Sequence, residues 1–289
     1  MLSAQNVGSR HLIRAARRFF AALRRPDPIY LGDYTILTRT AHGFKLFLDS
    51  RDVSLAPHIL LDGVWEPAVT RFIDARVRPG MRVVEVGSNV GYHSLHLARR
   101  IGPRGLIACF EANPRLAQLL AQSLEVNGLK AHSLPCAFAV GDVSGQCELK
   151  VFSRHLGASS LIVNEDTAKE YHDTITRVAV PITTLDESCA DWPHLDFLKI
   201  DAEGAEPLVM AGAKGLISRS PNLEILLEFG PAFWPFLEAA RAFLQGWLDE
   251  GFHLQRLTPQ GAVEPARIDD LLDPTRIAEI VLTRRAPPA

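Results

Sequence analysis

The sequence predicts an α/β fold in which a mainly parallel sheet is covered by helices on both faces. Three observations lead there. From residue 82 onward strand-like and helical segments alternate. The strand-like segments are near-continuous apolar runs, as strands buried on both faces are. A glycine turn joins the first of these strands to its helix, the kind of strand end at which open parallel sheets bind ligands. The chain has 289 residues, 47% apolar and 22% charged, with mean hydropathy near zero. That composition excludes a disordered, collagen-like or low-complexity protein and suits one large or two small domains.

Taken in order, residues 10–25 (RHLIRAARRFFAALRR) space Leu12, Ile13, Ala16, Phe19, Phe20 and Leu23 by threes and fours. This predicts an amphipathic helix within residues 1–28, ended by Pro26 and Pro28. Residues 1–26 hold six arginines and no acid; the rest has 25 basic and 33 acidic residues, a balance of −8. The helix is expected to pack on the body, to mediate dimerisation, or to lie on an anionic membrane surface as a peripheral contact. An acidic body argues against a nucleic-acid partner.

Residues 29–80 form an N-terminal extension. Strand-like runs at 34–37 and 44–48 flank Ala41-His42-Gly43 and predict a hairpin, and a helix over 66–75 is closed by Pro79-Gly80. The main domain occupies 81–289. Strands are expected at 82–86, 106–110, 131–139, 197–201, 223–229 and 277–283. Helices are expected at 91–101, 114–126, 205–217 and 236–250, the second ending at the cap signal Asn127-Gly128. Residues 147–180 break the rhythm and read as an insertion, the usual place for a lid or substrate loop. No apolar run approaches the ~18 residues of a membrane span. The longest early run, residues 19–23, is too short for a secretory leader. Cys109, Cys136, Cys147 and Cys189 show neither C-x-x-C pairing nor metal-ligand spacing. A reduced, cytoplasmic protein is expected.

The most informative segment is VVEVGSNVGYHS, residues 83–94. Gly87 allows a sharp turn beside a ligand, and Gly91 opens the helix. The spacing differs from the dinucleotide G-x-G-x-x-G pattern, and Glu85 would repel a diphosphate. A carboxylate there suits a ligand bearing an ammonium group, such as the methionine part of S-adenosylmethionine. Glu111 ends the second strand, twenty residues after Gly91, where an acid can accept both hydroxyls of a ribose. Cofactor binding is accordingly assigned to Glu85, Gly87, Ser88, Asn89, Gly91, Glu111, Ala112, Asn113, Ala139 and Asp201.

These residues resemble the FkbM family of S-adenosylmethionine-dependent methyltransferases. The resemblance rests on residues 83–91, 110–114, 139–142, 184–186 and 198–206, with Asn127-Gly128, and spans roughly residues 80–230. The run K-I-D-x-E-G-x-E at 199–206 is its most specific part. Family motifs often carry Asp where this chain has Glu85, a change that keeps the charge. The resemblance implies a Rossmann-like class I methyltransferase sheet in order 3-2-1-4-5-7-6, last strand antiparallel. It also implies O-methylation of a hydroxyl, often on a sugar or a polyketide.

In that frame Lys199 and Asp201 share a strand face, and a buried lysine needs a partner, expected to be Glu85 or Asp201. Methyl transfer to a hydroxyl calls for a base at the strand ends. Asp201 and Glu203 are the first candidates and His93 the second. His155, Tyr171 and Glu228 are expected to face the acceptor. Asp201, Glu203 and Glu228 together are oxygen-rich enough for a divalent metal, though none is expected. The leading reading is O-methylation of a saccharide or glycosylated metabolite. The alternatives are a polyketide or other secondary-metabolite acceptor, and a non-catalytic S-adenosylmethionine-binding module.

Overall fold

The computed structural model describes residues 27–162 and 165–285. The helix expected over 10–25 lies outside them. The chain opens with β1 (Ile29–Gly32), β2 (Thr35–Arg39) and β3 (Lys45–Asp49), then α1 (Leu55–Leu61) and α2 (Pro67–Arg76). Next come β4 (Arg82–Val86), α3 (Tyr92–Ile101), β5 (Leu106–Phe110), α4 (Pro114–Val126), β6 (Ser133–Cys136), β7 (Ala139–Val140) and β8 (Gly145–Phe152). They are followed by α5 (Glu165–Glu170), β9 (Ile175–Thr183), α6 (Leu185–Ser188), β10 (Phe197–Ile200), α7 (Glu206–Ala211), α8 (Lys214–Ser218) and β11 (Glu224–Phe229). The chain closes with α9 (Leu237–Asp249), β12 (His253–Leu257), β13 (Val263–Pro265) and β14 (Ala278–Thr283).

The central sheet runs β13-β12-β14-β11-β10-β4-β5-β6. Strands β11, β10, β4, β5 and β6 are mutually parallel, and β14 is antiparallel to both its neighbours. Counted within the main domain this is the order 3-2-1-4-5-7-6, with β13 added as an eighth, outer strand. One apolar layer joins the sheet to α1–α4 and the N-terminal strands through residues such as Ile59, Phe72, Leu95 and Leu120. The other joins the opposite face to α7, α8 and α9 through Val209, Leu216 and Leu244. Val83 and Val84, adjacent on β4, are both fully buried, one in each layer. Period-2 alternation is therefore absent from that strand.

Several expectations need correction. The N-terminal hairpin is a three-stranded antiparallel sheet, because β1 pairs with β2. The strand expected over 131–139 divides: β6 ends at Cys136, and the chain crosses to a second sheet ordered β7-β9-β8. Pro135, which lacks an N–H, is tolerated because β6 is an edge strand. The insertion is thus built on a sheet whose long hairpin, β8 with β9, runs beyond the 147–180 bounds. The helix expected over 205–217 breaks into α7 and α8 at Gly212 and Ala213. A Cβ on Gly212 would lie 2.0 Å from the Gly141 carbonyl oxygen, so the break lets two backbones touch. Asp186 secures α8, its carboxylate accepting from the Gly215 and Leu216 N–H groups. The four cysteines are free thiols.

The N-terminal sheet is fastened to the main domain by side chains at the carboxyl end of α4, which bond the β3 backbone. Ser123 Oγ accepts from the Phe47 N–H, and Asn127 Oδ1 accepts from the Lys45 N–H. Asn127 Nδ2 returns a bond to the Lys45 carbonyl at 2.6 Å. The outer edge of β3 is satisfied in this way, as a covered sheet edge must be.

Candidate active site

The strand order reverses between β4 and β10, and a cleft of about 260 Å³ opens at their carboxyl ends. Gly87 makes this corner possible. It has φ +78°, and a Cβ there would lie 1.7 Å from the Asp201 carbonyl oxygen. The N–H groups of Gly87 and Ser88 both donate to the Phe110 carbonyl at 3.0 Å, tying the turn to the end of β5. Gly91 caps α3 with φ +93°; its Cα faces Leu120 of α4, so it serves helix packing and does not line the cleft.

Glu111 lines the cleft. One carboxylate oxygen accepts from the Asn89 N–H at 2.7 Å and the other from the Asn113 N–H at 2.8 Å. Each oxygen therefore retains a lone pair. Burial pushes this carboxyl up to about 7 against the pull of those two bonds. Asn113 lies behind the wall, capping α4 through the Arg115 N–H. Ser88, Asn89, Ala112 and Ala139 line the cleft. Glu85 also lines it and is fully buried, with the Ser94 hydroxyl donating to its Oε2. Burial raises its pKa, opposed chiefly by the Lys199 charge.

Lys199 sits opposite Glu85 in the β10–β4 register, and its ammonium donates to Asp201 Oδ2 at 2.9 Å. Burial disfavours this charge, but Asp201, Glu66 and Glu85 more than reverse that, so it stays cationic. Beyond it, carboxylate oxygens of Asp201, Glu203 and Glu228 lie within 4.8 Å of one another, a spacing that also suits a divalent cation. Burial, then Asp201, lift Glu203 to about 8 and Glu228 to about 11. Oε2 of Glu228 is buried with no hydrogen-bond partner among the described residues. Glu206 braces the loop between, accepting from the Ala202 and Gly204 N–H groups at 2.8 and 3.1 Å.

Two walls come from outside the sheet. The insertion contributes His155, Tyr171 and residues 157–161. His155 packs on Tyr171 and reaches Asp173 Oδ2 at 3.0 Å, while Ser160 Oγ donates to the Glu203 carbonyl at 2.7 Å. The extension contributes Ser54, Trp65 and Glu66, and Glu66 Oε2 lies 2.8 Å from His93 Nε2. That bond and the imidazole's charge outweigh burial and hold Glu66 below the ordinary carboxylate value. A hydrogen bond from the Val53 N–H to the Arg154 carbonyl links the two walls.

All the expected residues except Gly91 and Asn113 thus meet at one cleft. Trp65, Glu66, Ser160 and Glu206 were not anticipated. Glu206 lies inside the recognised K-I-D-x-E-G-x-E run, whereas nothing local marks Glu66, which reaches the cleft only through tertiary packing.

A parallel sheet in this order, with an inverted seventh strand and a glycine turn between two acids at the switch point, defines a class I methyltransferase. The chain belongs to the FkbM methyltransferase family: the methyltransferase FkbM domain matches residues 85–254. Among curated relatives, methyltransferase sdnD of Sordaria araneosa is 27% identical over 158 residues, 45% of this chain and 59% of that protein. Protein-L-isoaspartate O-methyltransferase of Methanothrix thermoacetophila is 29% identical over 107 residues, 37% of this chain and 49% of its own. The chain therefore spans about half the length of these relatives. Among solved structures, an S-adenosylmethionine-dependent O-methyltransferase of Thermotoga maritima aligns with TM-score 0.40 and 13% identity over 92% of this chain and 88% of that one. Aeropyrum pernix fibrillarin with bound S-adenosylmethionine aligns with TM-score 0.41 and 11% identity over 90% and 99%.

The cofactor expected from the sequence is S-adenosylmethionine. The residues present fit it. Glu111 has two lone pairs free for a ribose diol, Glu85 and Asp201 offer negative charge to an ammonium and a sulfonium, and Gly87 leaves the turn bare.

Proposed function

We propose that the protein is an O-methyltransferase acting on a hydroxyl of a saccharide or glycosylated metabolite. The convergence of Asp201, Glu203 and Glu228 in the cleft that also holds Glu85 and Glu111 carries this reading. A hydroxyl becomes a competent nucleophile once its proton is taken, and a carboxylate with a pKa near the working pH is suited to that. Several acceptors set close together match the array of donors on a sugar ring.

Bound S-adenosylmethionine supplies a methyl group on a positively charged sulfur. The chain's own residues do the rest. Glu111 and Glu85 hold the two ends of the cofactor. Lys199 fixes Asp201, which orients the acceptor hydroxyl. A side-chain oxygen of Glu203 takes the hydroxyl proton, and the wall pinned by Ser160 excludes water.

The test is turnover with S-adenosylmethionine against a panel of saccharides, glycosylated metabolites, aglycone polyketides and an isoaspartyl peptide, read as S-adenosylhomocysteine release. Methylation of a sugar hydroxyl is expected. Turnover confined to the aglycones or the peptide would overturn the saccharide assignment, and S-adenosylmethionine binding without any turnover would favour a binding module. Activity is expected to survive exhaustive EDTA. Loss restored by Mg²⁺ would instead make the three carboxylates metal ligands.

A further inference from the structure

Strand β1 presents apolar side chains to solvent on both of its faces. Ile29, Tyr30 and Leu31 are 57%, 60% and 52% exposed, and Tyr34, in the turn that follows, is 50% exposed. Three large apolar groups this bare on one outer strand, hydrogen-bonded only to β2, and a fourth in its turn form a patch of the kind that marks a contact surface. Its surroundings carry both signs, with Asp27 and Asp33 exposed beside it and Arg51 paired with Asp49. Arg51 stacks over the Tyr34 ring at 4.4 Å, and Arg39 and Lys45 are exposed on the same small sheet. The sequence immediately upstream of Asp27 carries six arginines and no acid, while the rest of the chain has a balance of −8.

We propose that this edge docks on an anionic lipid surface, with Ile29, Tyr30, Leu31 and Tyr34 entering the headgroup boundary and the flanking cations meeting the headgroups. Tyrosines and aliphatic groups framed by arginine and lysine match the chemistry of that boundary. The placement also has a geometric consequence. Arg115, in the first turn of α4, bonds the Asp33 carbonyl at 2.6 Å and Thr35 Oγ1 at 2.8 Å. Helix α4 begins where Glu111 lines the cleft, so docking through β1 brings the cleft rim toward the lipid surface.

The experiment is sedimentation of the full chain with vesicles of phosphatidylcholine, alone or mixed with phosphatidylglycerol. Binding is expected with the mixed vesicles and should weaken as salt rises. The double substitution Ile29→Ser with Leu31→Ser should lower the bound fraction at least about threefold at unchanged melting temperature. Equal binding to uncharged vesicles, or binding indifferent to the double substitution, overturns the proposal. So does a dimer, seen by light scattering, that the substitution dissolves, since the patch then belongs to a second copy. A lowered melting temperature overturns it too, by showing that the chain covers the patch itself.

Discussion

Glu111 illustrates how one side chain both shapes the cleft and keeps capacity for a ligand. Its two oxygens hold the Asn89 and Asn113 N–H groups, and the remaining lone pairs face the cavity. Glu111→Ala should weaken S-adenosylmethionine binding by about 1–3 kcal/mol in calorimetry. Glu203 makes a kinetic prediction. With its carboxyl near 8, kcat should rise with pH through about that value as the base loses its proton. Glu203→Gln should remove that limb and lower kcat about a hundredfold or more, and Asp201→Asn should abolish turnover. At this scale the sequence was readable wherever roles follow from strand alternation or from a named motif, as with Lys199 and Asp201. Glu66 was not readable. Its approach to His93, 27 positions away, depends on how α2 packs on α3.

Among the elements, the corner after β4 is the least tolerant. A larger residue at 87 would obstruct a ligand, but the nearer obstacle is the Asp201 carbonyl, 1.7 Å from any added Cβ. Even Gly87→Ala should therefore separate β4 from the end of β10. It should abolish cofactor binding and cost about 2 kcal/mol or more in denaturant unfolding, beyond the effect of an obstructed pocket. Strands β4 and β5 and helix α4 fall where the pattern places them, because apolar runs bounded by Gly and Pro are unambiguous. Strand β1 escaped notice because neither of its faces is buried, so no alternation distinguishes it. Strand β9 was absorbed into the insertion because its first half is partly exposed and only its end joins a core. The division of α7 from α8 has no local breaker stronger than one glycine, and its cause is a backbone contact with Gly141 that sequence does not display.

For the molecule as a whole, the concentration of buried acids ties stability to pH. Glu111 and Glu206 are pushed up to about 7, and Glu203 and Glu279 to about 8, from an ordinary value of 4.5. Each holds a proton in the fold that the unfolded chain releases above about 4.5. Their contribution is fully present below that value and is lost as pH rises through about 8, because the unfolded state binds fewer protons across the window. Melting temperature without cofactor should therefore fall from pH ~5 to pH ~8.5. The unfolding free energy should fall with a slope approaching about 1.4 kcal/mol per pH unit for each net proton involved. Glu203→Gln should reduce that slope by about one such proton, and a flat profile in the parent protein would show the acids ionised in the fold.

The bonds that fasten β3 to α4 and Glu66 to His93 matter for anyone hoping to build with this scaffold. The family signature starts at residue 85, and a transplant cut at that signature would arrive with one side of its chamber missing. His93 would be stripped of its carboxylate, and Ser123 and Asn127 of the strand they grip. A portable cassette has to begin at Ile29, 56 residues before the first signature position.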